Sequence, residues 1–337
     1  MGSIQPENTA AVPFTLATFD GNATMGKKKQ TRSAIGVNGS YYDLAALLKS
    51  TLDGQEGLDL DQYSTTLAIF EEWQNTSPTL SLLAGKIASG EVKANPIIST
   101  GNGAASTGVG TPNLLAPIIY PAKLLAVGAN YTGHLAEMGL PVEKWTPMPF
   151  FTRPPTTSMV GPGESVIIPE STKQFDWECE LAVVVGARLR HASIAEAAAG
   201  IAGYTIGLDM SCRDLIVAGR GLGTDLMRGK AQDTMAPVGP HVVPAAYVGN
   251  IDEKRITLDV NGKRMMDAST SEMIYKCDEI LSIMSQNVTL EPGDVIFTGS
   301  PAGTAGAHGD CWLKPGDRIR AEIEDVGVLN IVIRGKP

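Results

Sequence analysis

The chain has 337 residues, 43% of them hydrophobic and 19% charged, enough apolar material for a sizeable core in one large or two modest domains. Its net charge of −9 excludes a surface built for nucleic acid or an anionic membrane, but not a small acid held by a few local basic residues. No run reaches the length of a membrane span, and the N-terminus lacks the basic segment and apolar core of a secretory signal.

In chain order, residues 1–12 read as a disordered leader and 13–19 as a strand. The polar stretch 20–32, with Lys27-Lys28-Lys29, reads as an extended hairpin loop before a returning strand at 33–37 and a turn at Asn38-Gly39. Helices are expected over 43–48, 63–73 and 80–89. Residues 101–111 (GNGAASTGVGT) are rich in small residues and read as a connection between domains. Their Gly-x-Gly follows no strand, so phosphate binding is not expected there. A small N-terminal domain over 1–113 and a larger domain over 114–337 follow from this division.

The larger part opens with a short apolar strand at 124–128 and a helical turn at 132–138. A hairpin is expected at 256–260 and from 263 onward, around Asn261-Gly262. Ser269-x-x-Glu272 matches a capping box. The stripe Met273, Ile274, Cys277, Ile280, Leu281 and Met284 then reads as a core-facing helix. Pro-Gly-Asp turns at Pro292 and Pro315 lead into strands at 294–298 and 317–323. Strands dominate here, which predicts a mixed, mostly antiparallel sheet architecture, not a doubly wound parallel one. Cys179, Cys212, Cys277 and Cys311 are widely spaced without a Cys-x-x-Cys pair, as expected of reduced, mostly buried thiols in a cytoplasmic protein.

Two acidic clusters carry the chemistry. Glu178 and Glu180 open a strongly β-prone run, and side chains two apart on a strand share a face. The apolar run from Leu181 to Val185 predicts a buried strand, so the two carboxylates stand where the chain enters a core. Bare carboxylates this close repel and resist desolvation. A hard divalent cation relieves both, with Asp209 as a third oxygen ligand. A solvated edge face would show the same Glu-x-Glu pattern. His134 and Glu137 lie three apart on the expected helical turn, an imidazole with an orienting carboxylate, or a surface His with a helix-pairing Glu. Arg213-Asp214 reads as a surface ion pair or as an arginine for a substrate carboxylate with its orienting partner. Lys230 follows the loop glycines Gly219, Gly221 and Gly223, either as a solvated charge or beside a metal. Thr298-Gly299-Ser300-Pro301 ends a strand with hydroxyls at a tight turn, a common loop and a good anion-binding corner.

Taken together, in order and spacing, these pieces resemble the fumarylacetoacetate hydrolase superfamily. Its landmarks match Asn130-Tyr131-x-x-His134-x-x-Glu137, Phe151-Thr152-Arg153-Pro154, Gly161-Pro162-Gly163, Trp177-Glu178-Cys179-Glu180-Leu181, Asp209 to Asp214, Arg228-Gly229-Lys230 with Asp233, and Thr298 to Gly303. The resemblance covers residue 114 to the C-terminus, and more weakly the N-terminal strands and Tyr42-Asp43-Leu44-Ala45. It implies an α+β, β-rich fold, with a mixed β-roll or barrel catalytic domain and a small N-terminal α+β domain. It implies Glu178, Glu180 and Asp209 as ligands of Mg²⁺ or Mn²⁺, His134 and Glu137 as a water-activating dyad, and Lys230 as the residue that steadies the enolate. Arg153, Arg213, Thr298 and Ser300 would meet the substrate, and two chains would form a homodimer. Where the family often has Lys, Gln and an aromatic residue, this chain has Arg153, Ile216 and Leu226, which bears on substrate identity. The implied activity is hydrolysis of a C–C bond in an acylpyruvate or other diketo acid, as in aromatic compound catabolism. The rivals are decarboxylation or isomerisation of a 2-oxo acid, dienoate hydration, and a non-catalytic metal- or ligand-binding protein.

Overall fold

The computed structural model describes residues 11–21, 30–52, 59–99, 113–162, 164–217 and 223–336. Strand β1 (Thr15–Gly21) pairs with β2 (Gln30–Val37), and β2 with β3 (Ser40–Asp43). The turn between the last two falls on Asn38-Gly39 as expected, both with positive φ, the geometry of a two-residue hairpin. Helix α1 (Leu44–Leu52) follows at once. Thr65 then caps α2 (Thr66–Glu71) by accepting from the Ala68 N–H at 3.1 Å.

The two helices expected at 63–73 and 80–89 are divided differently. Tyr63 ends a 3₁₀ turn, α2 stops at Glu71, and one continuous helix α3 (Trp73–Ala88) contains Pro78. Proline removes one helical N–H. Burial of Leu80, Leu83 and Ala84 on the same helix outweighs that loss. The short strand β4 (Ile98–Ser99) completes the N-terminal elements. The connection expected at 101–111 lies outside the described residues, as do Lys27, Lys28, Lys29, Gly163, Gly219, Gly221 and the leader to residue 10.

The rest of the chain runs β5 (Leu124–Val127), α4 (Thr132–Glu137), β6 (Phe150–Arg153), β7 (Met159–Val160), β8 (Ser165–Ile167), β9 (Phe175–Asp176), β10 (Cys179–Val185) and α5 (Ile194–Ala199). It continues through β11 (Ile201–Leu208), β12 (Ser211–Cys212), α6 (Arg213–Ile216), α7 (Leu226–Lys230) and β13 (Ala236–Pro244). Last come β14 (Arg255–Val260), β15 (Lys263–Ser269), α8 (Cys277–Ser285), β16 (Val295–Phe297), β17 (Arg318–Ile323) and β18 (Gly327–Arg334).

An 11-stranded sheet has the order β4-β3-β2-β1-β13-β11-β10-β16-β5-β6, with β7 beside β13. The N-terminal strands therefore extend the same sheet as the central ones, Leu16 standing opposite Val242. A five-stranded sheet, β15-β14-β17-β18-β8, and the β12-β9 pair complete the set. Strand neighbours are antiparallel except β16 with β5, β13 with β7 and β18 with β8. This is the mixed, strand-rich α+β class that the pattern predicts, without a closed barrel among the described residues.

Strand β10 is buried along its whole length and feeds two cores. Leu181, Val183 and Val185 pack into one, with α8 and the five-stranded sheet. Ala182 and Val184 pack into the other, with Leu44, Phe70 and Leu80 of the N-terminal helices. Period-two alternation thus sends Glu180 to the second face, at the end of the strand where apolar packing stops. Helix α8 begins at Cys277, four residues later than the start of the predicted stripe, and the Ser269/Glu272 capping box closes only a 3₁₀ turn. The reason is a long-range competitor. Asn130 takes the Ile274 and Tyr275 N–H groups with its carbonyl and side-chain oxygens, which keeps these two residues out of the helix.

Candidate metal and catalytic site

Glu178 and Glu180 stand at the head of β10, and Asp209 follows the end of β11, the antiparallel neighbour. The Asp209 N–H donates to the Glu178 carbonyl at 2.9 Å, which fixes the two strand ends together. As a result, carboxylate oxygens of Glu178, Glu180 and Asp209 lie within 4.8 Å of one another, all three residues buried. Every cation that reaches them comes from a different element. Lys230, the last residue of α7, donates to Glu178 at 2.5 Å and Asp209 at 2.6 Å. Arg213, the first residue of α6, donates from its terminal nitrogen to Glu178 at 2.5 Å and from Nε to Asp176 at 2.7 Å. Arg153, at the end of β6, pairs with Asp209 and donates to the carbonyls of Lys230 and, at 2.7 Å, Met235. The Glu180 carboxylate takes the Gly299 N–H.

Burial opposes ionisation of both glutamates, but the two do not respond alike. For Glu178, Arg213 and Lys230 outweigh burial and hold the carboxyl well below its usual range. Glu180 goes the other way. Burial, then the charges of Asp209 and Glu178, push it well above its usual value. Lys230 stays protonated, because Asp209 and Glu178 more than offset its burial. Among the described residues, Glu180 is thus the one carboxylate of the three that no side-chain cation contacts directly; its partner is the Gly299 N–H. Three convergent, buried carboxylates, one of them without a cationic partner, fit a hard divalent cation such as Mg²⁺ or Mn²⁺.

His134 lies on α4 directly after β5, buried, with Nδ1 2.9 Å from Glu137 and Nε2 3.7 Å from Glu178. Glu137 is held in turn by the Gly303 N–H at 3.0 Å and the Thr304 hydroxyl at 3.3 Å. Burial opposes ionisation of Glu137, but His134 and the Gly303 N–H prevail and lower it. The imidazole thus has one nitrogen engaged by a carboxylate and the other turned toward the carboxylate cluster.

The structure gathers His134, Glu137, Glu178, Glu180, Asp209, Arg213 and Lys230 into one network. The other expected residues are close but occupied. Arg153 is fully buried, with donors directed to Asp209 and to the carbonyls of Met210, Lys230 and Met235. The Thr298 hydroxyl donates to the Leu181 carbonyl at 2.9 Å and the Ser300 hydroxyl to the Pro301 carbonyl at 3.2 Å. Arg213 does not pair with Asp214, which instead accepts from Thr172 and from the Lys173 N–H at 2.8 Å. The nearest acid along the chain does not reveal Arg213's partners, Asp176 and Glu178. Asp176 lies 37 residues back in the chain, and only its place in the Phe-Asp-Trp-Glu run marks it. Ile216, one of the departures noted above, packs where a side chain on Gly229 would stand, 2.4 Å from its ideal Cβ. A glycine before Lys230 is therefore required by that contact.

The chain is similar to proteins of known family. Residues 123–334 match the family model "Fumarylacetoacetate (FAA) hydrolase C-terminal". A human protein named oxaloacetate tautomerase FAHD2B, mitochondrial, is 37% identical over 216 residues, which are 64% of this chain and 67% of that one. Among solved structures, a fumarylacetoacetate hydrolase from Exiguobacterium antarcticum matches with a TM-score of 0.70 and 25% identity, over 96% of this chain and 100% of that one. A fumarylpyruvate hydrolase from Pseudomonas aeruginosa, solved with Mn²⁺ and pyruvate, matches with a TM-score of 0.58 and 29% identity, over 72% of this chain and 100% of that one.

Proposed function

The chain belongs to the fumarylacetoacetate hydrolase family, and on that premise we propose that it is a divalent-metal-dependent hydrolase that cleaves the C3–C4 bond of an acylpyruvate. The observation that carries this reading is the His134 imidazole, fixed by Glu137 at one nitrogen and 3.7 Å from Glu178 at the other. A general base oriented by a carboxylate and opening onto a metal-fit cluster suits hydrolysis of a chelating diketo acid. The Mn²⁺ and pyruvate in the Pseudomonas fumarylpyruvate hydrolase support the same reading.

Glu178, Glu180 and Asp209 would hold the cation, Mg²⁺ or Mn²⁺. When bound, it supplies positive charge to the 2-oxo acid and to the enolate that the cleavage releases. His134 Nε2 takes a proton from the water that adds to the C4 carbonyl. The C3–C4 bond then breaks, its electron pair passes to the pyruvate enolate, and protonation at C3 gives pyruvate beside the new carboxylic acid. Lys230, protonated and buried, adds positive charge where the oxyanion builds. Arg153, Arg213, Thr298 and Ser300 complete the substrate's polar surroundings in this reading. Arg213 does so through Glu178, and Arg153 through Asp209.

A second reading is tautomerisation of oxaloacetate, favoured by the 37% identity to a human protein of that name. The same base would move a proton between C3 and the enol oxygen, with no water added and no bond cleaved. A panel of acylpyruvates and oxaloacetate with Mn²⁺ separates the two. Pyruvate and a carboxylic acid in equal amounts support the hydrolase. Ketonisation of oxaloacetate without pyruvate supports the tautomerase, and CO₂ without a second acid overturns both. The reading includes a homodimer in the cytoplasm. A single-chain mass by light scattering would refute the first part, and import into mitochondria the second. Among the described residues, no helix is long and apolar enough to cross a membrane.

A further inference from the structure

We infer that Asp176 and the turn at residues 303–305 act as one clasp that sets the His134 base against the Glu178 ligand, with Asp176 as a positioning residue. This rests on the roles proposed for His134 and the carboxylates.

The turn donates to two acids on two different elements. The Gly303 N–H and the Thr304 hydroxyl reach the two oxygens of Glu137, at 3.0 and 3.3 Å. The next residue, Ala305, donates its N–H to Asp176 Oδ1 at 2.8 Å. The other Asp176 oxygen takes Arg213 Nε at 2.7 Å, and Arg213 reaches Glu178 at 2.5 Å. Glu178 in turn stands 3.7 Å from His134 Nε2, while Nδ1 returns to Glu137 at 2.9 Å. The contacts therefore form a closed ring through β9, α6, α4 and one turn.

Two features keep the turn in place. The Trp177 indole N–H donates to the Gly303 carbonyl at 3.0 Å, and that tryptophan is fully buried. Gly303 has φ +111°, and a Cβ there would lie 2.4 Å from the Met265 carbonyl oxygen, so no other residue fits. Asp176 itself is 1% exposed, too deep to touch substrate, and both its oxygens are engaged. A buried carboxylate so placed acts by orienting others, as outer partners of metal ligands do.

The test uses the full chain and two readouts, Mn²⁺ affinity by calorimetry and pyruvate release at saturating Mn²⁺. Asp176→Asn keeps the shape and the bond from Ala305 but removes the charge facing Arg213. The expected result is an Mn²⁺ Kd about 10-fold or more higher, with kcat still about 10-fold down once Mn²⁺ saturates. Asp214→Asn, off the ring, should change neither. If Asp176→Asn misfolds, Thr304→Val takes its place, with a several-fold loss of kcat at saturating Mn²⁺ that Thr304→Ser restores. Full recovery of kcat by saturating Mn²⁺, or an unchanged Kd, would overturn the clasp. If wild type turns over no substrate, the proposed activity fails instead, and the Mn²⁺ Kd of Asp176→Asn alone decides the clasp.

Discussion

Two clusters of charge in this molecule have similar composition and opposite meaning. On β14 and β15, Arg255 pairs with Asp267 at 2.5 Å and Arg264 with Asp259, all exposed but the half-buried Asp259. Around β10, Lys230 and Arg213 reach Glu178 at the same short range, but the carboxylates are buried. The surface pairs share their field with water, and removing one partner strands nothing. The buried cluster has no such refuge, so each charge there needs a partner from protein or ligand. Glu180, pushed up by burial and by Asp209 and Glu178, is the residue where protein alone falls short.

The contrast is broken most severely at Glu180. Glu180→Gln should lower metal-dependent turnover by about 10³-fold or more, through loss of the cation. The same change should raise the unfolding temperature measured in chelator, since it removes a repelled buried carboxyl. Stability and activity then move in opposite directions, which no surface charge would do. His134→Ala comes next. It should cost about 10²- to 10⁴-fold in kcat with Mn²⁺ affinity within a few-fold of wild type. Near-normal turnover with metal bound would remove His134 from the mechanism.

Much of this cluster is legible along the chain because it is built from local rules. Alternation on a strand places Glu178 and Glu180 together, and the apolar run after them announces burial. A three-residue step on a helix brings Glu137 to His134. What escapes such reading is partnership across sequence. Asp214 is the nearest acid to Arg213 along the chain, yet the fold gives Arg213 to Asp176. The Ser269 capping box is correct as local chemistry, but Asn130, 145 residues from Tyr275, claims the segment behind it. Likewise nothing local in β1 foretells Val242 as the neighbour of Leu16, which joins the N-terminal strands to the central sheet.

His241 sharpens the comparison from a third side, as a partly buried imidazole whose hydrogen-bond partners are uncharged. Its Nδ1 meets the Tyr41 hydroxyl at 2.5 Å and its Nε2 the Val326 carbonyl at 3.0 Å. Burial lowers its pKa from 6.5 to about 4. Below pH 6.5 the unfolded chain therefore binds a proton that the folded chain refuses until about pH 4. Stability should fall as pH drops through that window, by about 1–3 kcal/mol, the lower part because the imidazole also borders a cavity of about 700 Å³. In urea titrations from pH 7 to 4, His241→Gln should show a shallower loss than wild type. The smallest effect is expected at the surface. Arg255→Gln should leave the unfolding midpoint and turnover unchanged, and a clear drop in either would erase the distinction between the two clusters.

The most direct measurement is the rate of pyruvate release from an acylpyruvate, followed as Mn²⁺ is added to metal-stripped protein and then withdrawn with chelator. Turnover that appears with the cation, vanishes with chelator and stays absent in Glu180→Gln is the predicted result. Equal turnover with and without the cation would contradict the account.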